Sequence, residues 1–152
     1  MFFEGKMIVQ IDEKNISDAA RIHSISWKES HRAFCTPGFI ETHTPERQLN
    51  YMHDKMKEGT RFFMLIDKEP VGIVSVTDSL IEDLYVLPQK QKKGYGTKLL
   101  MFAVSQCTNT PSLWILENNA GAERLYCRMG FMKTGKIHSV ANGFTEIEFA
   151  LK

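Results

Sequence analysis

The stretch IEDLYVLPQKQKKGYGTKLL, residues 81–100, decides the fold predicted for this chain. It begins as an apolar strand that ends at Pro88, since proline cannot donate the backbone hydrogen bond of a ladder. A lysine-rich loop with Gly94 and Gly96 follows, and a helix is predicted from Thr97 to Cys107. The first-turn amides of a helix have no intrahelical acceptor and glycine permits close approach, so this stretch suits a pyrophosphate. The alternative to an anion-binding site is a structural βα turn, in which the two glycines serve only the backbone conformation.

The composition is that of a globular protein, and residues 1–152 are predicted to form a single domain. The formal net charge of +1 argues against a nucleic-acid binder, because the lysines around the glycine loop form only a local cluster. No apolar run is long enough to span a membrane, and the N-terminal stretch MFFEGKMIVQ lacks a signal-peptide pattern. The cysteines are widely spaced and form no CxxC pair, which predicts reduced thiols and a cytoplasmic protein.

Apolar periodicity predicts an α/β domain with the element order β-α-α-β-β-β-α-β-α-β-β. The runs RFFMLI and VGIVSV predict a hairpin whose turn covers residues 67–70, and Asn142-Gly143 predicts a type I′ turn between the last two strands. Residues 30–43 are expected to be irregular. The strand at 81–87, the helix after it and the strand at 113–116 form a βαβ unit, whose strands are parallel. We therefore expect a mixed, mostly antiparallel sheet with helices on its faces.

Two motifs in this order resemble those of the GNAT N-acetyltransferase superfamily. The sequence QKKGYG at 91–96 matches the Q/R-x-x-G-x-G/A motif, and Leu84-Tyr85-Val86 is similar to the strand ending that precedes it. Asn119, the helix with Tyr126 and the Gly130-Phe131 pair look like the second signature of the family. The resemblance covers nearly the whole chain and implies a GNAT-like fold, in which the parallel strands splay apart.

The resemblance implies that acetyl-coenzyme A is the donor and an amine, on a small molecule or a protein, is the acceptor. The pyrophosphate would lie on the helix N-terminus beside the lysines, and the pantetheine arm would pair with the exposed strand where the parallel strands splay. The residues implied to bind the cofactor are Leu84, Tyr85, Val86, Gln91, Lys92, Lys93, Gly94, Tyr95, Gly96, Thr97, Asn119 and Tyr126. The histidines show no ligand spacing such as HExxH, which predicts that no metal is bound.

Tyr126 is the implied general acid, because a phenol can protonate the thiolate that leaves when an amine attacks a thioester. Packing of its ring on the sheet is the alternative role. Many relatives place the base, a glutamate, where this chain has Leu80. Glu82 shares the face of Leu80 in a regular strand and Asp83 lies on the opposite face, although a bulge would swap these assignments. Glu82, Asp83 and an ordered water remain candidate bases, with Glu117 a weaker one.

His31 and Phe34 lie where the first helix and loop of the family often wall the acceptor site, whereas Trp27 fits the apolar stripe of its helix. Because Leu80 replaces the usual acid, a non-catalytic acyl-coenzyme A-binding or regulatory module is the alternative function. The last hairpin, whose final strand alternates in polarity, is a candidate surface for a homodimer.

Overall fold

The computed structural model describes residues 2–3, 5–33, 35–140 and 143–152. These residues form one eight-stranded sheet with helices packed on both faces. The strands are β1 (Phe2–Phe3), β2 (Lys6–Gln10), β3 (Arg61–Asp67), β4 (Glu69–Thr77), β5 (Leu80–Val86), β6 (Ser112–Leu116), β7 (Phe131–Ser139) and β8 (Thr145–Leu151). The helices are α1 (Ile16–His31), α2 (Pro37–Glu41), α3 (Pro45–Lys57), α4 (Tyr95–Ser105) and α5 (Ala120–Arg128), with a short 3-10 turn at Pro88–Lys90.

The strands lie in the order β1-β2-β3-β4-β5-β6-β8-β7, and all described pairs are antiparallel except β5 with β6. These two parallel strands are paired only at their start, where Leu80 lies opposite Ser112. Beyond that point, no further pair joins them in the part of the chain that the structure describes. The prediction of a mixed, mostly antiparallel sheet with a central parallel splay is therefore confirmed.

Alternate residues of the central strands point into two separate apolar layers. In β3, Phe63 packs in the layer beneath α4, which contributes Leu99, and Phe62 packs in the layer beneath α1 and α3. The second layer is closed by Ile22 of α1 and Met52 of α3, both completely buried. Because strands covered on both faces need apolar residues on both, the nearly continuous apolar runs of β3 and β4 follow from this arrangement.

β5 carries one extra residue opposite β4. Ser75 lies opposite Glu82 and Ile73 lies opposite Tyr85, so three steps along β5 (82 to 85) face two along β4 (73 to 75). Asp83 lies at this bulge with a φ of +48°, in the left-handed region that aspartate tolerates better than most residues.

The bulge changes the direction in which Asp83 points. Glu82 is bound by Lys55 of α3, and Asp83 is bound by His23 of α1, so both carboxylates lie on the side of the sheet that α1 and α3 cover. The expectation for a regular strand, with Asp83 on the face opposite Glu82, is wrong. The extra residue breaks the alternation of side chains along the strand.

Three local predictions are also corrected. α4 begins at Tyr95 and ends at Ser105 rather than spanning Thr97 to Cys107, because Gly94 is its N-cap. Residues 37–41, expected to be irregular, form α2, which Thr36 caps by accepting a hydrogen bond from the Phe39 amide. The turn of the β3–β4 hairpin was predicted to cover residues 67–70. It consists of Lys68 alone, at a φ of +67°, because β3 ends at Asp67 and β4 begins at Glu69. Asn142 of the predicted type I′ turn lies outside the described residues.

Candidate active site

Two clefts open beside the splay between β5 and β6 and share one wall. The larger cleft, about 510 Å³, lies against the N-terminus of α4, and the smaller cleft, about 270 Å³, lies against α1. Tyr126 of α5 and Asn119, the N-cap residue of α5, line both clefts. The shared wall also contains Leu84, Val86, Gln91 and Ala122. A molecule bound in one cleft can therefore touch a molecule bound in the other.

The larger cleft ends at the N-terminus of α4, where Gly94 adopts a φ of +83° that side chains rarely permit. No described side chain caps this helix, and the residues of its first turn, Tyr95, Gly96 and Thr97, line the cleft. Because first-turn amides have no intrahelical acceptor and carry the positive end of the helix dipole, this end of the cleft favours an anion.

Basic side chains approach the same end of the larger cleft from two elements. Lys90 and Lys92 come from the loop, and Arg128 comes from the last turn of α5. Lys90 also forms an ion pair with Glu69 at 3.1 Å. Lys93 is not among the described residues that line either cleft. Arg128 was not predicted, because its closeness to the glycine loop exists only in the folded chain.

The end of β5 supplies the wall between the clefts. Leu84 and Val86 line both clefts, whereas Tyr85 lines only the smaller one and its ring lies 5.0 Å from the His23 ring, centroid to centroid. The carbonyl oxygen of Val86 accepts a hydrogen bond from Nε2 of Gln91 at 3.2 Å. Gln91 thus ties the glycine loop back to the strand that precedes it.

Tyr126 lies where the two clefts meet. Its ring is 8% exposed and makes an edge contact with Phe131, with centroids 5.9 Å apart. Burial raises the pKa of the Tyr126 hydroxyl to about 12. The hydroxyl is therefore protonated at neutral pH and can donate a proton or a hydrogen bond into either cleft.

Asp83 is the acceptor of three side chains. Its carboxylate lies 3.2 Å from Nε2 of His23 and accepts hydrogen bonds from the Tyr51 hydroxyl at 3.0 Å and the Ser75 hydroxyl at 2.9 Å. Burial alone would raise the pKa of Asp83, but these partners outweigh burial and lower its pKa. These hydrogen bonds stabilise the charged carboxylate of Asp83. Asp83 is therefore a poor proton acceptor.

Glu82 has a different environment, although it is the adjacent residue. It lines the smaller cleft, and its Oε1 lies 3.3 Å from Nζ of Lys55. Burial, followed by the charge of Asp83, raises the pKa of Glu82, while Lys55 opposes the rise. A carboxylate with a raised pKa at the surface of a cleft is suited to accept a proton. The two acids that the sequence could not rank are thus separated by their surroundings.

The remaining predicted residues divide between the smaller cleft and other places. His31 lines the smaller cleft, and burial lowers its pKa despite a hydrogen bond with the Trp27 carbonyl. Trp27 is instead stacked between His31 and His43, at 3.9 and 3.4 Å between ring centroids. Glu117 lines a separate cleft of about 140 Å³. Phe34 lies outside the described residues.

The residues of the smaller cleft that sequence analysis missed include four with polar or indole side chains, namely Ser26, Ser30, Trp114 and Glu146. Ser26 and Ser30 are four residues apart, so their shared helical face was a readable signal. Nothing in the sequence distinguishes Glu146 from Glu148, because the two residues lie on the same face of β8. Only the pairing of Glu146 with Leu116 of β6 brings it to the splay.

Among the described residues, no group of three or more histidine, cysteine, aspartate or glutamate side chains could hold a metal ion. The same residues include no helix with the length and apolar character needed to cross a membrane. The three cysteines are all free.

A family model described as an acetyltransferase (GNAT) domain matches residues 35–152. The chain belongs to the GNAT acetyltransferase family. The match includes β5, the glycine loop, α4 and α5, the elements that form the wall shared by the two clefts. Among curated proteins, none matches the chain.

Solved structures of other GNAT proteins share this fold. The PaiA N-acetyltransferase from Thermoplasma acidophilum, in complex with coenzyme A, is 17% identical with a TM-score of 0.69, over 94% of this chain and 97% of that one. YncA from Salmonella typhimurium, solved with acetyl-coenzyme A, is 19% identical with a TM-score of 0.66, over 98% and 94%. The ribosomal-protein-S18-alanine N-acetyltransferase from Escherichia coli is 19% identical with a TM-score of 0.69, over 96% and 92%. At such identities the likeness shows the fold alone.

Proposed function

We propose that this GNAT protein is an N-acetyltransferase that moves an acetyl group from acetyl-coenzyme A to an amine by direct attack in a ternary complex. The observation that carries the proposal is the position of Tyr126, a protonated and buried phenol at the junction of two clefts. One cleft has the anion-binding helix end that a pyrophosphate needs. The other has carboxylates suited to an amine.

In this proposal the larger cleft holds coenzyme A. The amides at the start of α4 bind the pyrophosphate, and Lys92 and Arg128, which line the same cleft, add positive charge. The pantetheine amides pair with the backbone of Leu84 to Val86. This edge of β5 has no pairing with β6, because the two strands diverge after Leu80 and Ser112. The bound thioester then lies beside Tyr126, where the clefts join.

The amine enters the smaller cleft and must be neutral to attack. We assign Glu82 as the base that takes its proton, directly or through a water, because the raised pKa of Glu82 suits that task. The amine nitrogen bonds to the thioester carbon, the carbon–sulfur bond breaks, and the Tyr126 hydroxyl protonates the departing thiolate. Asp83 is a positioning residue that anchors the β5 bulge to α1 and α3.

The second candidate is an acyl-coenzyme A-binding or regulatory module without transfer activity. Leu80, at the position where many relatives carry an acid, motivates this alternative. Glu82 answers this objection in part, because its carboxylate lines the smaller cleft and is available as a base two residues after Leu80.

Two measurements separate these functions. Isothermal titration with acetyl-coenzyme A is expected to show one binding site per chain, and an absence of binding at millimolar ligand would reject both functions. Release of free thiol from acetyl-coenzyme A, followed across a panel of amines, is expected to exceed the amine-free rate with at least one amine. Binding without any amine-dependent release favours the non-catalytic module.

A further inference from the structure

The smaller cleft has an unusual charge balance. Three carboxylates line it, those of Glu82, Asp83 and Glu146, and no lysine or arginine is among its described lining residues. His31 is the remaining titratable base on the wall, and burial lowers its pKa, so the imidazole is neutral at neutral pH. Lys55 pairs with Glu82 from outside this lining, and the carboxylates together favour a cationic ligand in the cleft.

Ser26 gives an independent sign of a polar ligand in this cleft. Its side chain lines the cleft and is 3% exposed, and its Oγ has no hydrogen-bond partner among the described residues. A buried hydroxyl without a hydrogen-bond partner destabilises the folded protein. An N–H group on a molecule in the cleft would remove that destabilisation.

Glu146, on β8, is held in position by His138. Its Oε1 lies 2.8 Å from Nε2 of His138, and the His138 ring stacks on Trp114 with centroids 4.1 Å apart. Trp114 and Glu146 both line the cleft, so a carboxylate and an indole ring border the same space. A carboxylate beside an aromatic ring is a good environment for a protonated amine.

Glu82 and Glu146 therefore mark two places for amino groups in one small cleft. They belong to different strands, β5 and β8, which lie on either side of β6. The charge of Glu146 nonetheless contributes to the raised pKa of Glu82, so the two carboxylates interact. The cleft volume of about 270 Å³ fits a short aliphatic chain rather than a large ring system.

We propose that the acceptor is a small aliphatic diamine, of which one amino group is acetylated and the other, protonated, is held by Glu146 beside Trp114. Ser26 accepts a hydrogen bond from an N–H group of the same molecule. This inference rests on the proposed function, and it names the acceptor class for that reaction. The bonds made and broken are those of the transfer above, and the second amino group keeps its proton throughout.

The test compares three acceptors of equal chain length whose far end is a cation, a neutral group or an anion: diaminobutane, aminobutanol and aminobutanoate. We expect kcat/KM for diaminobutane to exceed that for aminobutanol by about tenfold or more, with aminobutanoate the poorest, as a charge-assisted contact predicts. Equal or better turnover of aminobutanol would overturn the proposal. So would a lysine peptide used better than diaminobutane, because the acceptor would then be a protein.

Matched variants assign the preference to one residue. Glu146→Gln is expected to reduce the advantage of diaminobutane to less than about twofold, because the charge that holds its ammonium group is gone. Glu148→Gln removes the same charge from the same strand, but Glu148 bonds to Thr134 and does not line the cleft, so the preference is expected to remain. Ser26→Ala is expected to raise KM for diaminobutane, because the hydrogen bond to the acceptor is lost. A preference that survives Glu146→Gln would contradict the assignment.

A binding experiment keeps this proposal separate from the proposed function. Protein loaded with coenzyme A is titrated calorimetrically with diaminobutane, in the original sequence and in Glu146→Gln. Binding that the variant loses supports the diamine site even when no amine is acetylated, in which case the transfer function alone fails. No binding of diaminobutane at millimolar concentration, with acetyl-coenzyme A still bound, overturns the diamine site.

Discussion

Oδ1 of Asp83, on the bulge of β5, lies 3.2 Å from Nε2 of His23, in the middle of α1. This contact joins the bulge of β5 to α1, a helix that lines the smaller cleft. Tyr51 of α3 and Ser75 of β4 bind the same carboxylate, so one buried charge connects two helices and two strands. The bulge next to Glu82 is thus held in place by the Asp83 carboxylate.

Replacing Asp83 with asparagine is expected to destabilise the protein. The free energy of unfolding should fall by about 1.5–3 kcal/mol, the usual contribution of hydrogen bonds to a charged group. Asparagine tolerates the positive φ, so backbone strain is not the cause. Urea unfolding at neutral pH measures the effect, and Asp54→Asn, on an exposed position of α3, is the control with little expected change. Equal stability of the two variants would contradict the network.

The Asp83 contribution should also depend on pH in a defined direction. Its pKa is lowered in the folded protein, so its stabilisation is complete above the ordinary aspartate pKa of 3.8 and is lost as the pH falls through the lower pKa of the folded state. The difference in stability between the original sequence and Asp83→Asn should therefore be constant near neutral pH and shrink below about pH 4. A difference that grows on acidification would reverse the assigned sign.

Tyr126→Phe tests the general acid. The ring keeps its contact with Phe131, so acetyl-coenzyme A affinity and thermal stability should be unchanged. Turnover should fall by about 100-fold or more, since general acid catalysis commonly contributes that much. Initial rates with saturating acceptor measure the change, and an unaltered rate would leave Tyr126 with a packing role only.

The ion pair between Lys55 and Glu82 allows the role of Glu82 as general base to be tested through the pH dependence of the acetylation rate. The rate should fall as the pH drops through the raised pKa of Glu82, because the protonated carboxyl cannot accept the proton of the amine. Lys55→Gln removes a charge that lowers this pKa, so the acid limb should move to higher pH. In a Glu82→Gln background the same Lys55 change should leave the profile in place. A shift that persists there would assign the limb to another group.

Arg128→Gln tests the anion-binding end of the larger cleft. The loss of a charge facing the proposed pyrophosphate should weaken acetyl-coenzyme A binding about 3- to 10-fold, with a smaller effect at high salt. Lys93→Gln removes the same charge from the glycine loop, where the side chain does not line the cleft, and a smaller change is expected. Calorimetric titration of both variants compares them directly. Equal losses would show that charge near the loop matters more than position.

The sheet and the anion-binding end were predictable because their signals are local. The glycine loop, Pro88 and the following helix are contiguous, and the N-cap conformation of Gly94 follows from its residue type. The βαβ unit also follows from element order, since parallel neighbours need a crossover. These features use interactions between residues close in sequence.

The smaller cleft, where the acceptor is proposed to bind, was largely unpredictable from the sequence. Its lining depends on the register of β5 and β8 against their neighbouring strands. One extra residue in β5 turns Asp83 toward the same helices as Glu82. No residue type between positions 80 and 87 predicts this bulge. Glu146 and Trp114 meet Ser26 only after β8 is placed beside β6. Side chains brought together from four separate elements leave no spacing that a sequence pattern could reveal.

We propose that acetyl transfer takes place where the two clefts meet at Tyr126. The most direct test incubates the protein with diaminobutane and acetyl-coenzyme A that carries a deuterated acetyl group, and analyses the products by mass spectrometry. We predict monoacetylated diaminobutane that carries the label, formed in proportion to the protein and strongly reduced in Tyr126→Phe. Labelled acetate as the sole product, or equal yields from both proteins, would contradict this account.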